Sequence, residues 1–334
     1  MQENARYIVL IDPALQDNDG TDSWNIGDMI ISESIMDILR SMFPGKEIVR
    51  ISSHVVVGTK HRKIIKEAFL TFIGGSNLIT SSILGYRSFP IRDGRLVWLF
   101  PGIQNMILFG PGWGDGYGKP LNLRTKIFYK RILHPAFLHS LRDQYSADKL
   151  MKETGINTIN TTCPTLWHVS EVSLKRSSPA PYCLFTLTDY DIDPERDQLL
   201  LKMALENFEK IVFFPQGRDD INYLSSLPVF QNNKTKIALL PHSYKEFRNL
   251  VSTTDITYMG TRLHSGIKCL QHNRDVMIVA TDQRAINISK DTHIPVCERG
   301  NLTAISRWLN GNDIFDKEFS LPKEGIIKWE NQFL

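Results

Sequence analysis

The amino-acid sequence predicts an α/β protein of two Rossmann-like lobes facing a cleft. Three observations predict it. Short apolar runs rich in Val and Ile, each stopped by Gly, Pro or Asp, alternate with stretches whose apolar residues recur at helical spacing. The alternation occurs twice, on either side of a polar stretch at Ser173–Pro181. The 334 residues exceed what one core normally serves and suit two domains of about 150 residues each.

Taken in order, Tyr7–Ile11 is a short β-branched run ended by Asp12 and Pro13 and reads as a strand buried in a parallel sheet. Gly27–Met42 carries Met29, Ile30, Ile35, Ile38, Leu39 and Met42 at helical spacing, with Asp28 placed to cap its first turn. Glu47–Ser52 reads as a strand, Arg62–Ala68 as a helix and Phe69–Ile73 as a strand stopped by Gly74 and Gly75. Asn105–Phe109 is a further strand, ending in Gly110-Pro111-Gly112-Trp113-Gly114. Asp143 is placed to cap a helix that ends near Gly155. The polar stretch at Ser173–Pro181 has the character of a linker, which divides the chain into lobes at 1–175 and 176–334, with the last helix able to pack back on the first lobe.

Beyond that stretch the cycle resumes. Tyr182–Leu187, Lys210–Phe214, Lys236–Leu240, Asp255–Met259 and Val276–Ala280 read as strands. Pro194–Phe208, Tyr244–Val251 and Ser265–His272 read as helices between them. In open α/β sheets, ligands gather at the carboxyl ends of the strands, so the residues after each strand are the candidates for chemistry.

Composition narrows the function classes. Lys plus Arg number 39 against 36 Asp plus Glu, a formal net charge of +3, too little for a nucleic-acid binder. The four cysteines form neither CxxC pairs nor a disulfide framework, which points to a reducing compartment. Met1–Arg6 lacks the basic start and apolar run of a secretion signal, and the apolar stretch Leu96–Trp113 is broken by Pro and Gly. The expectation is a cytoplasmic protein. Six basic residues between Lys119 and Arg142, with no acidic residue among them, read as a solvated helix face or as a peripheral contact with the inner face of an anionic membrane.

The densest signal is Asp255–Gly266, a strand running through Gly260-Thr261-Arg262 into a helix that carries His264. Backbone N–H groups at a helix start, with a guanidinium beside them, seat a phosphate or a carboxylate. Arg142, at the end of the segment Ser140–Ser146, offers a second guanidinium from a distant part of the chain. Two arginines suit the two charged ends of a small dianion. Trp113, in the glycine-rich loop, and Trp24 are aromatic faces on which a sugar stacks, although a Trp113 packed in the core fits the same pattern. Asp189-Tyr190-Asp191 has the spacing of a carboxylate pair for a divalent metal, but Asp193-Pro194 reads as a helix cap and explains the acidity without one, so no metal site is expected.

Four ordered motifs carry a resemblance: Asn25-Ile26-Gly27-Asp28, Gly74-Gly75-Ser76-Asn77, Arg142-Asp143-Gln144-Tyr145-Ser146 and Arg262-Leu263-His264. In these the chain resembles the polysaccharide pyruvyltransferase family, which often has a third glycine where Ser76 stands. The resemblance implies a glycosyltransferase-B-like fold and transfer of the enolpyruvyl group of phosphoenolpyruvate onto a sugar of a cell-surface polysaccharide or its lipid-linked precursor, as a pyruvate ketal. It implies that Arg142, Arg262 and His264 bind phosphoenolpyruvate, and that Asn25, Asp28 and the loop of Gly74, Gly75 and Ser76 line the acceptor side, to which Trp113, from its own loop, would add a stacking face. His264 and Asp28 are then the candidate acid and base. No cofactor is implied beyond the donor substrate. Two other readings share this fold: a nucleotide-sugar-dependent glycosyltransferase, and a glycan-binding relative without chemistry.

Overall fold

The computed structural model describes residues 6–83, 103–170, 180–312, 314–315 and 317–334. Residues 173–179 of the expected linker and 96–102 of the apolar stretch lie outside them. The chain divides into two compact units. The first takes the residues up to Ser23, Ile31–Trp167 and Leu321–Leu334; the second takes Trp24–Ile30 and His168–Ser320.

The first unit contains β1 (Tyr7–Asp12), most of α1 (Ile26–Met42), β2 (Glu47–Ser52), α2 (Thr59–Glu67), β3 (Thr71–Gly74) and β4 (Ile79–Thr80). It continues with β5 (Met106–Phe109), β6 (Trp113–Asp115), α3 (Leu123–Ile132), β7 (His139–Leu141), α4 (Gln144–Thr154) and β8 (Thr158–Asn160). Six of these strands form one parallel sheet in the order β2-β1-β3-β5-β7-β8, and β4 pairs with β6 beside it. Alternate residues of β1 serve opposite faces. Ile8 and Leu10 pack with Ile31, Ile35 and Leu39 of α1, whereas Val9 and Ile11 pack in the cluster that holds Ile65 of α2 and Phe128 of α3. Burial on both faces is why this strand reads as a continuous apolar run.

The second unit contains β9 (Tyr182–Thr186), α5 (Pro194–Asn207), β10 (Lys210–Phe213), α6 (Asp220–Ser226), α7 (Pro228–Asn232), β11 (Ile237–Leu239) and α8 (Tyr244–Thr253). There follow β12 (Thr257–Gly260), α9 (Leu263–Gln271), β13 (Val276–Ala280), α10 (Gln283–Thr292), β14 (Val296–Glu298) and α11 (Leu302–Leu309). Its sheet is also parallel, in the order β11-β10-β9-β12-β13-β14. Counted within the unit this is 3-2-1-4-5-6, the order of a dinucleotide-binding sheet. The last helix, α12 (Lys323–Glu330), returns to the first unit, where Trp329 stacks on Phe109 of β5 at 4.4 Å between ring centres.

Local chemistry fixes several boundaries. Asp143 accepts the Ser146 N–H at 2.7 Å and caps α4, which Gly155 ends in the left-handed region at φ 73°. Asp193 accepts the Arg196 N–H at 3.1 Å and Pro194 opens α5. The cap expected at Asp28 is made instead by Asn25, whose side-chain oxygen accepts the Gly27 N–H at 3.1 Å. Helix α1 therefore starts at Ile26, and Asp28 is buried in its first turn, where a carboxylate favours the helix dipole without being the cap. No helix among the described residues is long and apolar enough to cross a membrane.

Candidate functional site

A parallel sheet offers a crevice where neighbouring strands send their connections to opposite faces. In the second sheet that point lies between β9 and β12, and in the first between β1 and β3. Two of the sequence motifs fall on these points, Arg262-Leu263-His264 after β12 and Gly74–Asn77 at the end of β3.

Arg262 immediately precedes α9 and is only 4% exposed. Its Nε donates to Asp220 Oδ2 at 3.1 Å, and its Nη2 donates to Asp189 Oδ1 at 2.9 Å and also to the other oxygen of Asp220. The Tyr190 ring centre lies 5.1 Å from the guanidinium carbon. Asp220, fully buried at the start of α6, accepts the Gln216 and Gly217 N–H groups at 3.0 and 2.8 Å. Burial pushes its carboxyl up, and the Arg262 charge opposes that push. Gly217 is obligatory here, because a Cβ would collide with the Arg262 guanidinium. His264 sits, buried, in the first turn of α9. The hydroxyls of Thr188 and Thr261, at the carboxyl ends of β9 and β12, have no hydrogen-bond partner among the described residues. Buried hydroxyls in that state mark a place where a polar ligand is accommodated at low cost.

Gln216 joins this corner to the first motif. Its side-chain oxygen accepts the Ser265 hydroxyl at 2.7 Å, its side-chain nitrogen donates to Asn25 Oδ1 at 3.0 Å, and its backbone oxygen accepts the Ile26 N–H at 3.0 Å. Gly27 lies against the same amide, which a Cβ would press at 2.8 Å. Trp24, just before Asn25, is 53% exposed, with the Arg218 guanidinium 5.2 Å from its ring centre and the His242 ring tilted against it at 6.2 Å.

In the first unit, Arg142 gathers the glycine-rich segments. Nη1 donates to Asn77 Oδ1 at 2.6 Å and to the Ser76 oxygen at 3.3 Å, and Nη2 donates to the Trp113 oxygen at 2.9 Å. Nε lies 3.5 Å from Asp143. Gly112 passes beneath it, where a Cβ would strike the guanidinium. The side chain is 2% exposed, so Arg142, read from sequence as a donor ligand, is placed as the strut that fixes the Gly74–Asn77 loop. Gly75 has φ +53° and Ser76 φ +61°. Ser76 thus keeps the left-handed backbone that a third glycine would adopt without strain.

Trp113 is corrected as an acceptor platform: it is fully buried, with the Tyr145 ring against its edge and the Lys149 ammonium over its face at 4.4 Å. The loop's apolar partners in the first core outcompete solvent for so large a ring. Of the two tryptophans, Trp24 is the exposed one. Asp189, for which no metal role was expected, is the ion-pair partner of Arg262. Sequence reasoning missed Gln216, Gly217 and Asp220. Their signal was present: Phe214-Pro215-Gln216-Gly217 follows a strand and precedes a helix, the same layout as Gly260–Leu263.

A model of the family described as polysaccharide pyruvyl transferase matches residues 25–283. Among solved structures, the chain is similar to the S. aureus MnaA–UDP co-structure, at 9% identity and TM-score 0.49, over 92% of this chain and 88% of that one. It is also similar to E. coli heptosyltransferase WaaC with ADP-2-deoxy-2-fluoro heptose, at 11% identity and TM-score 0.39, over 92% of this chain and 100% of that one. No curated protein matches it.

Proposed function

Since the chain belongs to the polysaccharide pyruvyl transferase family, we propose that it transfers the enolpyruvyl group of phosphoenolpyruvate to a saccharide acceptor, free or lipid-linked, and forms a pyruvate ketal. The observation that carries this reading is the corner at β9 and β12, where a helix start, Arg262, His264 and two unpartnered threonine hydroxyls lie at the sheet's switch point. Such a corner suits the phosphate and carboxylate oxygens of a small dianion.

In the proposed reaction, one acceptor hydroxyl oxygen bonds to the central carbon of the donor as a proton reaches its methylene carbon, which becomes methyl. The bond from the central carbon to the phosphate oxygen breaks, phosphate leaves, and a second acceptor hydroxyl takes its place. One hydroxyl proton balances the methyl group and the other leaves with phosphate. His264 is the proton donor and Asp28 the base for a hydroxyl. Arg262 stabilises charge gathering on the phosphate. Arg142 acts indirectly, through the loop containing Gly74, Gly75 and Ser76, and Asn25 acts with Gln216. Trp24 takes the stacking role on the acceptor side.

A thermal melt tests the donor. Phosphoenolpyruvate at a hundred times its Kd stabilises the folded protein by about 2.7 kcal/mol. A rise in Tm with nucleotide sugars and none with phosphoenolpyruvate would replace this reading with the glycosyltransferase one.

A further inference from the structure

The Arg262 guanidinium faces two carboxylates, Asp220 and Asp189, and they are unlike. Asp220 is fully buried and held by three backbone N–H groups, those of Gln216, Gly217 and Asp189, as well as by Arg262. The Asp189 side chain is 21% exposed and sits in the connection between β9 and α5, where Tyr190 and Ile192 are each 56% exposed. Its backbone is tied down, the Asp189 N–H donating to Asp220 at 3.1 Å, while its side chains lie near the surface. Asp189 also accepts the Asp219 N–H at 3.0 Å, the Tyr190 hydroxyl accepts from Arg284 Nη2 at 3.0 Å, and the Asp191 oxygen accepts from Arg299 Nη2 at 2.6 Å.

One guanidinium between two carboxylates leaves an excess negative charge, and an approaching anion meets repulsion at low dielectric. Removing Asp220 would abandon a buried ion pair, whereas moving Asp189 exposes a carboxylate to water at little cost. Of the two, Asp189 is the exchangeable partner.

We propose that Asp189 sets donor affinity: its carboxylate holds the position on Arg262 that an anionic group of the donor takes, so binding exchanges one carboxylate for another anion. The inference rests on the reading of Arg262 as a donor-site residue. It assigns Asp189 a part in donor selection. A dianion has enough charge to displace Asp189, and a neutral or weakly charged donor does not.

Titration calorimetry with phosphoenolpyruvate on wild type, Asp189→Asn and Asp191→Asn, at one fixed ionic strength, tests it. Loss of a competing charged hydrogen bond in Asp189→Asn tightens binding by about tenfold. Asp191 bears the same charge two positions away but faces Arg299, and its removal changes binding by less than about twofold, because exposed charges are screened. Asp189→Ala gives the same direction as Asp189→Asn. Equal tightening in Asp189→Asn and Asp191→Asn reduces the effect to a general field and overturns the proposal. Wild type that binds while Asp189→Asn binds no better overturns the proposal alone. Failure of wild type and Asp189→Asn alike to bind overturns it together with the pyruvyltransferase reading.

Discussion

The Gln216 side-chain oxygen accepts the Ser265 hydroxyl at 2.7 Å, while the nitrogen of the same amide donates to Asn25. A single residue thereby joins two motifs that lie more than 200 positions apart in sequence. Gln216→Leu keeps the volume and removes both bonds, leaving buried polar groups unsatisfied. Urea denaturation should show a loss of about 1–3 kcal/mol, and turnover should fall with it.

Arg262→Ala should unfold the second unit before its effect on catalysis can be read. It strands the Asp220 carboxylate in the interior, at a cost of about 3–5 kcal/mol. Arg262→Met combined with Asp220→Leu removes both charges and restores much of the stability while phosphoenolpyruvate binding stays lost. Calorimetric melts of the single and double variants check this.

His139 predicts a pH dependence. Its ring accepts the Leu108 N–H at Nδ1 and meets the His134 oxygen at Nε2, and burial pushes its pKa down from 6.5 to about 4. A histidine with a lowered folded pKa binds protons more readily when unfolded, so stability is complete above pH 6.5 and is lost as pH falls toward 4. Between pH 7.5 and pH 5 the loss is about 2 kcal/mol. Denaturation of wild type and His139→Asn at both values checks it, since the variant should lack this part of the slope.

Ser76→Gly should stabilise the first unit by about 0.5 kcal/mol or more, because it relieves a left-handed backbone that a side chain adopts at a cost. A higher denaturation midpoint with unchanged slope is the expected result.

Trp24→Ala should raise the acceptor KM by about tenfold and leave donor binding unchanged, the loss of one stacked ring being on the order of 1 kcal/mol. Steady-state kinetics with each substrate varied in turn separates the two.

Much of the fold was legible because a parallel sheet buried on both faces writes its strands as apolar runs. Tyr7–Asp12, Tyr182–Thr186 and Val276–Ala280 all announce themselves in this way. The three-residue strands β7, β8 and β14 left too short a record to read. Helix caps were legible at Asp143 and Asp193, where Asp precedes a helical period, but the cap of α1 was misplaced because Asn25 and Asp28 are both competent caps. The positions of Arg262 and His264 at a strand-to-helix turn were legible. What engages the arginines was not. Asp220 and Asp189 reach Arg262 from two other connections, and no local pattern records which carboxylate a guanidinium meets in space. Trp113 shows the same limit, since a glycine-rich loop does not say whether its large ring faces water or the core.

Because Leu321–Leu334 belongs with the first unit and Trp329 stacks on Phe109, strands made before the second unit wait for a helix made after it. The second unit has its whole sheet available once Glu298 has emerged, so it can settle during synthesis. A growing chain would then carry an unfinished first unit with Phe72 and Phe109 lacking the Trp329 ring, which makes that interval the one in which chaperones have most to hold.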